Sequence, residues 1–361
     1  MNIKENKRKQ VKIDSKKFLD LLGKAMKIIQ PKSPVPIYSS GLLEVKDNNL
    51  SMTVTDMDHT LITHMEVEGE DCRLVIKIQD LFEIIKKLKG QIIIYEDKNK
   101  ISIESDNSKI ELLLLEEEFF KVSRENILII TSLPVEDFAK LFSFLSITNE
   151  SWSFTFQINN NYMEAVASDR KRLIFAQIPS ITNNSDSFPI SFKTLNLLLK
   201  NTSGQLEMGR QSSQLIFKFN DGILWSRFSN TPPINHNRIL QKKQQGLMIL
   251  VNKKLLLDGL NRVSLLASNI SKIIKLVFQE NSLTLYASDA SRGQAEEHIG
   301  VESIVVGNIA MNCEFLINAI KTIDSSHIEL YYTGHVSHFF VCSHGDNYPL
   351  VHVIMPIVMS N

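Results

Sequence analysis

The sequence predicts an α+β chain of three tandem similar domains, each with an antiparallel sheet and two helices. Two observations carry that prediction. The first is a signature that recurs three times, Leu50 to Asp56 (LSMTVTD), Met163 to Asp169 (MEAVASD) and Leu283 to Asp289 (LTLYASD). Each copy is an alternating apolar run that ends in an aspartate, as a half-buried strand entering a turn reads. The aspartates stand 113 and 120 residues apart, one ordinary domain length. The second observation is that the repeat continues downstream. Leu81 to Lys86, Leu195 to Lys200 and Leu316 to Lys321 share the form Leu-x-x-x-(Ile/Leu)-Lys, and their lysines follow the aspartates by 30, 31 and 32 residues.

Each element follows from local pattern. Ahead of each signature strand lies an amphipathic stretch that opens on a helix-starting residue: Asp14 to Ile29, Pro134 to Ile147 and Asn252 to Ser268. In the first of these, Phe18, Leu21, Leu22, Ala25 and Ile28 form the stripe that faces a core. Strand-like runs fill the rest: Gln91 to Tyr95, Ile101 to Glu104, Ile110 to Leu114, Leu215 to Phe219, Ile273 to Phe278 and His327 to Tyr332. Short polar turns such as DKNK, SDNS, NDG and YTGH separate them. Every unit therefore reads helix, strands, helix, strands, with both helices covering one face of a sheet. The polar stretches Glu116 to Asn126 and Gln241 to Gln245 set the boundaries. The expected organisation is a mobile extension over 1–10 and domains over 11–127, 128–246 and 247–361, with the first strand at Val11 to Ile13.

Composition excludes several classes. Forty basic and forty acidic residues give a formal net charge of zero, which argues against a protein that coats nucleic acid non-specifically, so any positive surface is local. The cysteines Cys72, Cys313 and Cys342 are odd in number, far apart and without CxxC spacing, as suits reduced thiols and a cytoplasmic location. No apolar segment follows the basic start MNIKENKRKQ, and no run of about 18 apolar residues occurs, so no membrane is expected. No Walker loop or dinucleotide fingerprint is present, and no cofactor is called for.

Lysine recurs on the repeated helices. Lys16, Lys17, Lys24 and Lys27 lie on the first, and Lys86, Lys87, Lys89, Lys193, Lys200 and Lys321 on the second helices. Lys253, Lys254 and Arg262 lie on the third unit's opening helix, whereas the middle unit's offers only Lys140. A solvated helix face reads the same way, since lysine is a good helix former. Recurrence at matching positions points instead to one surface that meets phosphates without reading bases.

These units, together with three short segments, resemble the bacterial DNA polymerase III beta subunit, the sliding clamp, over about residues 11 to 358. The family's Leu-Pro-Ile-Leu reads here Val35-Pro36-Ile37-Tyr38. Its Ala-Thr-Asp-Gly-His-Arg-Leu-Ala reads Ala167-Ser168-Asp169-Arg170-Lys171-Arg172-Leu173, with Ala176 beyond. Its Val-Val-Met-Pro-Met-Arg-Leu reads Val353-Ile354-Met355-Pro356-Ile357-Val358. The resemblance implies the DNA clamp fold and a homodimeric ring of six domains closed around double-stranded DNA. It implies a processivity role for the replicative polymerase and partners that include the polymerase catalytic subunit, a clamp loader and other proteins carrying a short clamp-binding motif. A head-to-tail interface that joins edge strands closes such a ring.

Site residues follow by position from the resemblance. The peptide pocket between the second and third domains falls on Ser168, Arg170, Lys171, Arg172, Leu173, Arg238, Ile239, Val353, Ile354, Met355, Pro356 and Ile357, with His338 on its rim. Apolar members are expected to supply affinity, and Arg172 and Arg238 to orient the peptide. Arg170 and Lys171 replace the family's glycine and histidine, which makes the rim more basic; the family's C-terminal arginine is absent, and Pro232 to His236 only dimly match its Tyr-Pro-Asp-Tyr element. Contacts to DNA fall on Lys32 and Asn149 by position and on Lys24, Lys86, Lys193, Lys200, Arg262 and Lys321 by the helix reading.

Three aspartates on three separate domains cannot converge on one substrate, and each reads as a cap for nearby backbone N–H groups, so no enzyme activity is expected. His335, His338, Cys342 and His344 invite a zinc reading, but strand alternation sends some of them to opposite faces. The alternative to a clamp is a duplicated clamp-like interaction scaffold that does not encircle DNA.

Overall fold

The computed structural model describes residues 8–115, 128–159, 161–180, 185–201, 204–211, 213–346 and 348–358. The first repeat runs β1 (Gln10–Asp14), α1 (Ser15–Ala25), β2 (Ser40–Lys46), β3 (Asn49–Thr55), β4 (His59–Glu66), β5 (Glu68–Gly69), β6 (Cys72–Lys77), α2 (Ile78–Ile85), β7 (Gln91–Glu96), β8 (Lys100–Ser105) and β9 (Ser108–Leu113). The second runs β10 (Leu128–Pro134), α3 (Val135–Ser143), β11 (Ser153–Asn159), β12 (Tyr162–Ser168), β13 (Arg172–Pro179), β14 (Asp186–Ile190), α4 (Phe192–Asn201), β15 (Gln205–Gln211), β16 (Gln214–Phe219), β17 (Gly222–Arg227) and α5 (Asn237–Gln241). The third runs β18 (Leu247–Asn252), α6 (Lys253–Val263), β19 (Ile273–Gln279), β20 (Ser282–Asp289), β21 (Gly293–Gly300), β22 (Gly307–Asn312), α7 (Cys313–Lys321), β23 (His327–Tyr332), β24 (Phe339–Ser343) and β25 (Leu350–Ile354).

A strand opens each repeat, as expected for the first but not for the second and third, and the helices are shorter than the apolar periodicity suggested. The caps explain both ends. The Asp14 carboxylate accepts from the Lys17 N–H at 2.9 Å and the Asn252 amide oxygen from the Leu255 N–H at 3.1 Å, so the helix starts fall where the sequence placed them. After Ala25 the chain tightens, with the Lys27 N–H donating to the Lys24 carbonyl. Ile28 and Ile29 nonetheless stay buried, so the apolar spacing outlasts the helix. At the start of the chain, β1 begins one residue before the expected Val11 because Gln10 already pairs with Tyr95, and the Glu96 N–H donates to the Lys9 carbonyl. The remainder of the expected extension, residues 1–7, and the boundary run 116–126 lie outside the described residues.

The sheets show how the repeats join. Each repeat was expected to carry one sheet; its strands are instead divided between two. One sheet has the order β5-β1-β7-β8-β9 and another β21-β20-β19-β22. Two eight-stranded sheets, β10-β15-β16-β17-β4-β3-β2-β6 and β14-β11-β12-β13-β25-β24-β23-β18, each contain strands from two repeats. The junctions are antiparallel ladders: Leu224 pairs with Leu61 and Val353 with Leu173. Joining ladders satisfies backbone groups that would otherwise form open edges. The chain accordingly packs as two compact units, Met1–Val135 with Lys193–Phe228, and Glu136–Phe192 with Ser229–Asn361, and the middle repeat contributes to both.

Candidate functional site

Alternation along the β13–β25 ladder sends Leu173 and Val353 to one face of their sheet and Arg172 and Ile354 to the other. Leu173, Val353, Val166, Phe175, Phe340, Cys342 and Val351 form a buried cluster, against which Ile234, Ile239, Leu240 and Tyr331 pack half-buried. The segment that carries Ile234 and Ile239 is fastened to this sheet. The Ile234 N–H donates to the Thr155 hydroxyl at 3.0 Å, and the buried His236 stacks on Phe175 with ring centroids 5.3 Å apart. At the edge of the cluster opens a small cavity lined by Ser168, Arg170, Lys171, Arg172, Leu173, Ile239, His338, Val353 and Met355. Its volume is about 50 Å³, room for a water or two, so any larger guest requires side chains to move. Met355 is 40% exposed at the rim and has the flexible thioether chain suited to that.

The other residues expected in the pocket lie elsewhere. Ile354 is 1% exposed, because the strand alternation that brings Val353 to the cavity turns its neighbour away. Arg238 is exposed on α5, and Pro356 and Ile357 follow the end of β25, with the Ile357 N–H donating to the Ala310 carbonyl at 2.7 Å. None of these four lines the cavity.

Arg172 reaches the cavity but is already committed. Its Nε and Nη2 donate to Asp169 Oδ2 at 3.0 and 2.8 Å, and its guanidinium carbon lies 4.6 Å from the Trp152 ring centre and 4.0 Å from that of Phe315. This double cation–π stack and ion pair ties β13 to α7. The guanidinium expected to orient a peptide is thus held by partners within the chain. Nothing in sequence spacing marks Trp152 or Phe315 as its partners, because both come from distant elements.

The repeated aspartates cap their turns. Asp56 Oδ1 accepts the N–H groups of Met57, Asp58 and His59, Asp169 Oδ1 those of Lys171 and Arg172, and Asp289 Oδ1 that of Ser291. The Asp169 turn places Arg170 at φ 71°. A left-handed residue other than glycine costs roughly 1–2 kcal/mol, of which glycine's extra freedom in the unfolded chain takes back about 0.5–1. Arg170→Gly is therefore expected to raise stability in urea by about 0.5–1 kcal/mol; an unchanged or lower midpoint would contradict the strain.

The cations expected to meet DNA divide into two groups. Lys24 pairs with Asp221, Lys193 with Asp56, and Arg262 Nη2 with Glu297 at 2.6 Å. Lys32, Lys86 and Lys321 are exposed with no carboxylate partner among the described residues. Lys86 stands 5.8 Å over the Phe82 ring, and Lys321 lines a polar groove with Lys272, Asn261, Asn269 and Asn318. Asn149 is exposed and holds its own loop through Ser151. Lys200 belongs to α4, with its side chain outside the described residues.

The imagined zinc cluster does not gather. His338 sits 3.4 Å from Lys242 Nζ, His344 pairs with Glu329 at 2.8 Å, and Cys342 is buried. Among the described residues no group of three or more His, Cys, Asp or Glu side chains is placed to hold a metal ion.

Residues 9–124 match the model of the DNA polymerase III beta subunit N-terminal domain, and residues 237–358 that of its C-terminal domain. The chain belongs to the DNA polymerase III beta subunit family. The beta sliding clamp of Rickettsia felis is 21% identical over 96% of this chain and 98% of its own, and that of Staphylococcus epidermidis 20% over 94% and 97%. The beta subunit structure from Pseudomonas aeruginosa superposes with a TM-score of 0.87 at 18% identity, covering 97% of this chain and all of that one, so the clamp fold holds where little sequence does. The structure from Thermotoga maritima gives 0.84 at 19% identity over 98% of this chain and 100% of that one. In this chain Arg170 and Lys171 stand where the family's turn has glycine and histidine, and both are exposed beside the cavity.

Proposed function

We propose that two copies of this chain close a ring around duplex DNA and that the cavity beside Leu173 and Val353 tethers the polymerase and other proteins through a short apolar motif. Each copy supplies three clamp domains, over 11–127, 128–246 and 247–361. The work is mechanical, with no bond made or broken by the chain itself. The observation that carries the ring is the state of the sheet edges. Edge strands β6, β14, β18 and β22 each bond to a crossing segment, through Leu115 to Val75, Ser229 to Pro189, Leu250 with Glu302 and Ile357 to Ala310. Strands β9 and β21 have no such cover among the described residues, and β9 ends on Leu113 at 74% exposure. Pairing β9 of one copy with β21 of the other satisfies both edges head to tail.

Retention on nicked circular DNA tests this reading. A protein of twice 41.1 kDa is expected to stay on the circle through moderate salt and to leave when the circle is linearised. Leu113→Asp should give a monomer by light scattering and abolish retention. Release from circles and linear DNA at equal rates would sink the ring. It would favour the scaffold reading, to which the ion-paired Lys24, Lys193 and Arg262 lend support.

A further inference from the structure

The rim of the cavity carries positive charge that the protein does not neutralise. Arg170 and Lys171 are exposed in the β12–β13 turn, and no carboxylate pairs with either among the described residues. The turn's own carboxylate is consumed, since Asp169 takes the backbone of Lys171 and both the backbone and guanidinium of Arg172. Lys242 adds a third cation beside His338, which lines the cavity. Arg170 also holds a left-handed backbone that glycine would occupy without strain, so the turn bears a conformational cost at the residue that supplies charge. The floor between these cations is apolar, built from Leu173, Ile239 and Val353. A phosphodiester backbone has nothing to place on such a floor, whereas a peptide can offer apolar anchors and carboxylates together.

We propose that the preferred guests of this pocket are linear protein segments whose apolar anchors are directly flanked by aspartate or glutamate. The proposal rests on the reading of the cavity as a peptide pocket and names the chemistry of its guest. Complementary charge at an exposed rim adds modest, salt-sensitive affinity and discriminates between otherwise equal guests.

The test uses the full-length protein and two fluorescent peptides with the same two-leucine core, one flanked by Asp and Glu and the other by Asn and Gln. Anisotropy titration at low salt is expected to show the acidic peptide binding about tenfold tighter, with the advantage shrinking at high salt. In the Arg170→Gly, Lys171→His double variant the advantage of the acidic over the neutral peptide should fall to about two- to threefold. Equal affinity of the two peptides for the unaltered protein overturns the proposal and leaves the pocket standing. Failure of both peptides to bind removes the pocket and the proposal together. Displacement of the acidic peptide by a short single-stranded oligonucleotide at equal concentration also overturns it, by showing a general polyanion site.

Discussion

Asp56→Ala is expected to cost the first compact unit about 3–5 kcal/mol, far more than the same change at Asp289. The three aspartates look alike in sequence but differ in what they hold. Asp56 is 2% exposed. One oxygen takes three backbone N–H groups at 2.6–2.8 Å, and the other meets His59 Nδ1 at 3.2 Å and the Lys193 ammonium. The chain of contacts continues inward, from His59 Nε2 to Thr194 Oγ1 at 3.1 Å and from there to Ser226 Oγ at 2.8 Å, all buried. Burial disfavours the carboxylate, but the bonds and charges from His59 and Lys193 outweigh it and hold the Asp56 carboxyl far below its ordinary range. Removing it strands the buried donors of His59 at about 1–3 kcal/mol each, whereas the half-buried Asp289 serves one short turn and should cost far less. Urea unfolding in a Trp152→Phe background, with Trp225 reporting on this unit, measures the difference. Equal losses at Asp56 and Asp289 would show that the network contributes no more than a turn cap.

The second compact unit is expected to lose about 2–3 kcal/mol between pH 6 and pH 4 through His352. This ring is 2% exposed, and burial first, then the positive Arg172, push its pKa down to about 3. The unfolded chain takes up the proton near pH 6.5. A histidine whose folded pKa is depressed contributes its full stability above the unfolded value, and that contribution drains away as pH falls from about 6.5 toward 3. Asp56 runs the same way but lower on the scale, with stability present above its ordinary carboxyl pKa and lost as pH falls below it, so its effect begins only under about pH 4. His338, also lowered by burial and by Lys242, adds in the same sense as His352 but is more exposed. His352→Gln, whose amide can still meet the Thr322 hydroxyl that lies 2.7 Å from Nε2, should flatten the curve between pH 6 and 4. A Trp225→Phe background leaves Trp152 to report on this unit; a variant curve parallel to the parent's would assign the acid loss elsewhere.

Much of the site was legible from the chain alone. The motifs place Ser168, Arg170, Lys171, Arg172 and Leu173 with Val353 and Met355 in one pocket, and these residues line one cavity. What misled was adjacency. Ile354, next to Val353, was assigned with it, though neighbours on a strand face opposite ways. Lys24, Lys193 and Arg262 lie on the expected helices, but each is ion-paired, with Asp221, Asp56 and Glu297, which no periodicity connects to them.

By itself the sequence determined the threefold repeat, the kinds of element in each copy, and the helix starts at Asp14 and Asn252. These depend on neighbours a few residues away, where side-chain period and capping act directly. Only the tertiary structure decided which strands share a sheet, so that the middle repeat is divided between two compact units and Leu173 lies across from Val353. It also decided that one of three like aspartates anchors a buried network while another merely turns the chain. Those outcomes follow from ladder pairing and burial between distant segments, where the partner that satisfies a backbone edge or a buried charge is chosen by packing.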